Sequence, residues 1–139
     1  MVEDKNRRPS PHAGLRHVAL FVRDLDACVA FYTRLLGYQV EWHPDENNIY
    51  LCSGNDNLAL HRQMSEPEGA SVQRLDHIGI LLADPSQVDE WYDFLVKHGV
   101  RMAQPPKTHR DGARSFYCHD PDGTLVQLIY HPPLSAQIL

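Results

Sequence analysis

The chain lacks the features that mark most specialised classes of protein. Its three cysteines, Cys28, Cys52 and Cys118, are an odd number without metal-type spacing, which fits reduced, mostly buried thiols better than a disulfide framework. Lys and Arg total 13 against 18 Asp and Glu, a formal net charge of −5, so nothing attracts nucleic acid or an anionic membrane in general. No stretch approaches the roughly 18 apolar residues of a membrane span. The opening MVEDKNRRPSPHAG has no apolar segment behind its charges. Residues 1–13 are therefore expected to be a flexible lead-in rather than a secretory signal, and the protein to be cytoplasmic. What is present is ordinary: 42% hydrophobic and 22% charged residues over 139 positions, enough for one domain or two small halves sharing a core. A small-molecule partner is the expectation that survives.

An internal repeat organises the chain. A shift of 60 positions lays His17 on His77, Cys28 on Val88, Phe31 on Trp91, Tyr32 on Tyr92, Leu35 on Leu95 and Leu36 on Val96. Helical spacing of apolar residues predicts helices over Leu25 to Leu36 and Gln87 to His98, ending at the C-cap glycines Gly37 and Gly99. Extended segments follow each helix: YQVEWH, NIYLCS and NLALHR in the first copy, VRMAQ, RSFYCH and TLVQLIY in the second. HPDENN, SGND and DPDG read as hairpin turns, and PPKTHRDGA, residues 105 to 113, as a loop. Each copy thus reads β-α-β-β-β, spanning residues 14–62 and 73–131, with a polar linker at 63–72 and a tail at 132–139.

Both copies open with a histidine just before an aliphatic run, in RHVALFV and DHIGILL. On a strand His17 shares its face with Ala19 and Phe21, and His77 with Gly79 and Leu81, so a small residue follows each histidine and leaves space beside it. In the last strand Leu125, Gln127 and Ile129 share a face. Taken alone, either histidine is more often a hydrogen-bonded structural residue; the repetition is what suggests a site.

RHVALFVRDLDACVAFYTRLLGYQV, DHIGILL and SFYCHDPDGTLVQLIY together resemble the vicinal oxygen chelate superfamily, which includes glyoxalase I, bleomycin and fosfomycin resistance proteins, methylmalonyl-CoA epimerase and extradiol dioxygenases. The aspartate-proline-aspartate-glycine turn is the most specific carrier, and the resemblance spans roughly residues 14 to 131. It implies an α+β fold in which two βαβββ modules form a curled, cup-like mixed sheet with the helices outside. It also implies a divalent metal in the cup, Fe2+ favoured and Zn2+, Ni2+ or Mn2+ possible, and commonly a homodimer. His17, His77 and Gln127 fall on ligand positions, with glutamine standing where the family usually has glutamate. Loss of that negative charge weakens affinity for hard cations.

Alignment of NLALHR puts either Ala59 or His61 at the inward end of the first unit. A four-ligand site of the glyoxalase I type would need His61; an open site with three ligands is simpler. The open site resembles the extradiol dioxygenases, which carry a histidine before the second ligand and a tyrosine about ten residues before the last. Here His61 precedes His77 by 16 residues and Tyr117 precedes Gln127 by 10, which makes both candidate catalytic groups. Ser115 shares the face of Tyr117, and Lys107, His109 and Arg110 in the loop before that strand are candidates to meet an anionic substrate. His12, His43, His98, His119 and His131 are expected in the lead-in, turns and element ends. Two function classes stay open: an enzyme whose metal binds two adjacent substrate oxygens, dioxygenase-like or a glyoxalase-type lyase or isomerase, and a metal-free ligand-binding protein of the bleomycin resistance kind.

Overall fold

The computed structural model describes residues 15–64 and 75–136. The expected lead-in, the linker from residue 65 onward, the last three residues of the tail and His12 lie outside them. The first half runs β1 (His17–Val22), α1 (Leu25–Ala30), β2 (Gln39–Asp45), β3 (Asn48–Cys52) and β4 (Asn57–Arg62). The second runs β5 (Ile78–Leu82), α2 (Pro85–Lys97), β6 (Met102–Thr108), β7 (Arg114–His119), β8 (Leu125–Tyr130) and a short α3 (Pro132–Ser135).

Each half makes one four-stranded mixed sheet, in the orders β1-β4-β3-β2 and β5-β8-β7-β6. The first and last strands of each half pair in parallel and the rest are antiparallel. The βαβ crossover makes that parallel pairing possible, because the helix carries the chain back over one sheet face. Alternation then sorts the side chains: Leu20 and Val22, Leu58 and Leu60, Ile49 and Leu51 lie on the helix side and are buried, as are Val126, Leu128, Phe116 and Cys118 in the second half. These residues and the inward faces of both helices form a single hydrophobic cluster. The opposite sheet faces carry His17 and His77.

Local sequence explains the helix ends. Asp24 caps α1 by accepting from Ala27 N at 3.0 Å. At α2 the same device is complete, with Asp84 and Gln87 in a reciprocal capping box and Pro85 in the first turn, where its missing N–H costs nothing. Gly37 and Gly99 take φ of +82° and +77°, the left-handed backbone that ends each helix as expected.

The halves are tied together on the helix side. Tyr32, fully buried, donates its hydroxyl to Asp120 Oδ2 at 2.9 Å, while Asp120 Oδ1 accepts from the backbone N–H groups of Asp122 and Thr124. Asp122 in turn accepts from Arg23 N at 2.7 Å. The DPDG turn is therefore a structural clamp between the halves.

Four expectations need correction. Residues 105–108 are strand, because β6 runs on to Thr108. It tolerates Pro105 and Pro106 by lying at the sheet edge, with a register shift between Gln104 and Lys107. His43 and His119 are likewise in strands, within β2 and at the end of β7. Part of the expected tail folds as α3, where Ser135 donates to Leu82 O at 2.7 Å. The first helix changes to a π-helical turn over Phe31–Leu35, closed by Leu36 N on Phe31 O. Thr33, a residue that competes for helix carbonyls, bonds Val29 O at 2.6 Å within this turn. No helix among the described residues is long and apolar enough to cross a membrane.

Candidate metal and substrate site

Register places the candidate residues in two groups. On the second sheet Gly79 pairs with Gln127 and Gln127 with Tyr117, so the three lie side by side on one face. The His77 ring, just ahead of β5, meets the Tyr117 ring edge-on with centroids 5.4 Å apart. Gln127 Nε2 donates to Ser115 Oγ at 3.1 Å, and the amide oxygen has no hydrogen-bond partner among the described residues. A Cβ at position 79 would stand 3.8 Å from that oxygen, so any longer side chain there would grow across it. His109 Nε2 lies 3.3 Å from the same serine hydroxyl, and the buried Ser115 thus links Gln127 to the β6–β7 turn. Lys107 is opposite Ser115 in register, exposed on the edge strand, and Arg110 is exposed in the turn. A cavity of about 300 Å³ opens here, bounded by Asp76, Gln104, His109 and Tyr117.

On the first sheet Ala19 pairs with Ala59 and Ala59 with Tyr50. By register, Ala59 therefore occupies the position that Gln127 holds in the second half. His61 sits two residues further along β4 on the same face, its ring against Phe21 at 5.8 Å and Tyr50 at 5.9 Å. His17 is exposed at the head of β1.

All three histidines are oriented in the same way. Asn57 donates through Nδ2 to Glu41 Oε2 at 2.6 Å, so its oxygen faces His17 Nδ1 at 2.7 Å and requires that nitrogen to carry the proton. Asn48 donates to Asp45 at 2.9 Å and presents its oxygen to His61 Nδ1 at 2.6 Å. His77 Nδ1 bonds Asp76 Oδ2 directly at 2.6 Å. Each chain ends on a carboxylate, holds Nδ1 as the donor and leaves Nε2 without a hydrogen-bond partner among the described residues, the arrangement that orients an imidazole to bind a metal or exchange a proton. Glu41, Asp45, Asn48, Asn57 and Asp76 were not singled out in the sequence. Their signal there was weak, since Asn and Asp beside strands also read as turn formers.

The donor set of two imidazoles and an amide oxygen suits Fe2+, Zn2+, Ni2+ or Mn2+. It is divided, however: His17 and His61 belong to one sheet, His77, Gln127 and Tyr117 to the other, and no strand of one sheet is hydrogen-bonded to a strand of the other. Among the described residues no three His, Cys, Asp or Glu side chains converge as a metal site. The faces that carry these groups expose large apolar residues, Phe21 at 73% and Trp42 at 59%.

Two βαβββ units, each with a histidine at the entry to its first strand and an unclosed sheet beyond it, define a protein of the vicinal oxygen chelate class. The chain belongs to the Glyoxalase/Bleomycin resistance protein/Dioxygenase superfamily, whose profile it matches over residues 14–128. It is 24% identical over 114 residues to the metallothiol transferase FosB of Staphylococcus saprophyticus, covering 82% of this chain and 74% of that one. To the catechol-2,3-dioxygenase of Bacillus subtilis it is 28% identical over 126 residues, 86% of this chain but only 42% of the enzyme, so it spans less than half of that relative. Its fold superposes on lactoylglutathione lyase from Agrobacterium tumefaciens with a TM-score of 0.71 at 20% identity, covering 86% of this chain and 95% of that one.

Proposed function

We propose that the protein is a divalent-metal-dependent enzyme acting in the cytoplasm on a small substrate with two adjacent oxygens, and that its chemistry is extradiol-dioxygenase-like. The observation that carries this reading is the patch on the second sheet, where the Tyr117 phenol lies against the His77 ring and beside Gln127 in register. His17, His77 and Gln127 hold the metal, Fe2+ by preference, with Zn2+, Ni2+ and Mn2+ compatible with the same donors. Bound iron(II) would supply the Lewis acidity and one-electron chemistry that ring cleavage by dioxygen requires. Tyr117 donates its phenolic hydrogen to a substrate oxygen. His61, with Nε2 unprotonated, takes the proton of a substrate hydroxyl. Ser115 holds the Gln127 amide, and Lys107, His109 and Arg110 receive an anionic substituent at the mouth.

Because His17 and His77 lie on separate sheets, we assign the complete site to a homodimer in which the first sheet of one copy faces the second sheet of another. The exposed Phe21 and Trp42 support that pairing, as a closing partner would cover them. His17→Ala and His77→Ala each abolish activity in this arrangement, and subunits of the two variants, mixed and allowed to exchange, recover about a quarter of the sites, since half the dimers carry one intact site. No recovery on mixing, with subunit exchange demonstrated, would defeat the two-copy site.

Oxygen uptake by anaerobically iron-loaded protein across substituted catechols tests the reaction. His61→Ala and Tyr117→Phe should slow turnover by roughly 10²-fold while leaving metal content nearly unchanged. Turnover of a methylglyoxal–thiol adduct without oxygen uptake would return the protein to the glyoxalase-type lyases. One observation favours a metal-free binding protein, the absence of a carboxylate at position 127. Purified protein that binds an aromatic ligand but takes up no Fe2+, Zn2+, Ni2+ or Mn2+ would establish that reading instead.

A further inference from the structure

A second cleft lies away from the histidine-bearing faces. It lies behind the sheets, between α1 with its π-helical turn and the ends of β6, β7 and β8, and has a volume of about 570 Å³. That falls within the range of roughly 300–1,000 Å³ usual for small-molecule sites. We propose that this cleft binds an amphipathic anion, a carboxylate or sulfonate on an apolar body of one or two aromatic rings. The inference is independent of the reaction assigned above.

One wall is apolar and unusually small: Ala27, Ala30 and Phe31 face Val100 and Pro121. The internal repeat shows what is missing. Gln87 and Glu90 stand on α2 where Ala27 and Ala30 stand on α1, and Tyr38 follows its C-cap glycine where Val100 follows Gly99. Space exists on this side because it kept methyl groups where the other half carries larger side chains.

The rim is cationic. Arg34 and Arg101 border the cleft and are exposed, and their side chains make no hydrogen bond or ion pair among the described residues. In a chain with 18 acidic residues this is a choice, since Arg114 by contrast is clasped by Asp89 at 2.7 and 3.0 Å. His98 and His119 also line the cleft, their Nδ1 atoms engaged by Phe94 O at 2.9 Å and Gly123 O at 3.4 Å, so Nε2 is the ring nitrogen left to a ligand. Asp120 is the one carboxylate among the lining residues, and both its oxygens are taken up by Tyr32, Asp122 and Thr124. Guanidinium groups presenting paired donors beside an apolar wall recognise an anion attached to a flat hydrophobic body.

The test uses 8-anilinonaphthalene-1-sulfonate, with uncharged N-phenyl-1-naphthylamine as its neutral counterpart, titrated by fluorescence into the full chain. The anion should saturate at one site per chain, and Arg34→Gln and Arg101→Gln should each weaken it about fivefold or more while leaving the neutral dye's affinity unchanged. Ala30→Trp should remove the site by filling it. His77→Ala and Tyr117→Phe, on the opposite sheet face, should leave it intact, and the Ala27 and Ala30 methyl resonances should move on titration. Unchanged affinity in the double arginine variant, or loss of binding in His77→Ala, would overturn the proposal. The arginine variants alter only exposed side chains, so the outcome does not depend on whether Ala30→Trp folds.

Discussion

The two halves of the molecule share a frame and differ in what hangs on it. His17 and His77 open the first strands; Ala19 and Gly79 follow on the same face; Tyr50 and Tyr117 oppose the middle of the last strands. At the next positions the halves part. Ala59 stands against Gln127, His61 against Ile129, and Asn48 against Ser115. Both halves thus keep a tyrosine at this place, but only the second has an amide beside it, and only the first has a second histidine, held by Asn48 and Asp45. A duplicated unit that works as a pair needs each function once, so one copy can lose a ligand if the other keeps it. The difference teaches that the proposed site would be asymmetric, with two ligands from the second half and one from the first.

The largest effect should come from the groups the halves have in common. Asp76→Ala and Asn57→Ala remove the Nδ1 partners of His77 and His17, and each should lower metal affinity by about 10- to 100-fold as measured by competitive chelator titration. Equal losses would mark the histidines as equivalent ligands. A loss confined to Asp76→Ala would break the comparison and leave His17 outside the site.

A smaller effect, on stability, separates the helices. Tyr32→Phe removes the donor to the buried Asp120 and should destabilise the chain by about 1–3 kcal/mol. Tyr92, its counterpart in α2, packs edge-on against Phe116 at 5.4 Å and is only half-buried, so Tyr92→Phe should cost less than about 0.5 kcal/mol in the same denaturant titration. Comparable losses at both sites would show that the Asp120 clamp does not hold the halves together.

Ala59→Glu sharpens the asymmetry by giving the first half a carboxylate where the second has Gln127. Ala59 is buried, so the larger side chain should lower the melting temperature of metal-free protein by several degrees, and added Fe2+ or Zn2+ should return most of it. An identical metal-induced shift in wild type and variant would mean that position 59 does not face the metal.

The smallest effect appears only in alkali. Burial, reinforced by the Asp120 carboxylate, pushes the thiols of Cys28 and Cys118 up to about 12. The unfolded chain gives up these protons first, so their contribution is intact below pH about 9 and is lost progressively towards pH about 12. The denaturation midpoint should fall across that window. Cys52, only half-buried, should be alkylated first in the native protein. Alkylation of all three at one rate would contradict the burial of the other two.

Much of this was legible before any coordinates. The repeat marked both β-α-β-β-β units because period-two and helical apolar spacing survive wherever one face must be buried. NLALHR and RSFYCH coincide with β4 and β7. The extension of β6 through two prolines was hidden, because proline is read as a breaker and only an edge position makes it harmless. The carboxylate-ended chains behind His17 and His61 were hidden as well. They run between strands whose residues are 16 and 13 positions apart, and such pairings follow from register, which sequence spacing alone does not specify.

By itself the sequence determined which residue types recur and which faces they share, since alternation along a strand and the Gly37 and Gly99 caps depend on local geometry. The tertiary structure decided which half supplies each group. Parallel pairing of β1 with β4 put Ala59, and not His61, in the place of Gln127. Packing on the helix side, through Tyr32 and Asp120, left both histidine-bearing faces outward. These are long-range choices made by burial of the common core, and a histidine's neighbours in the chain carry no record of them.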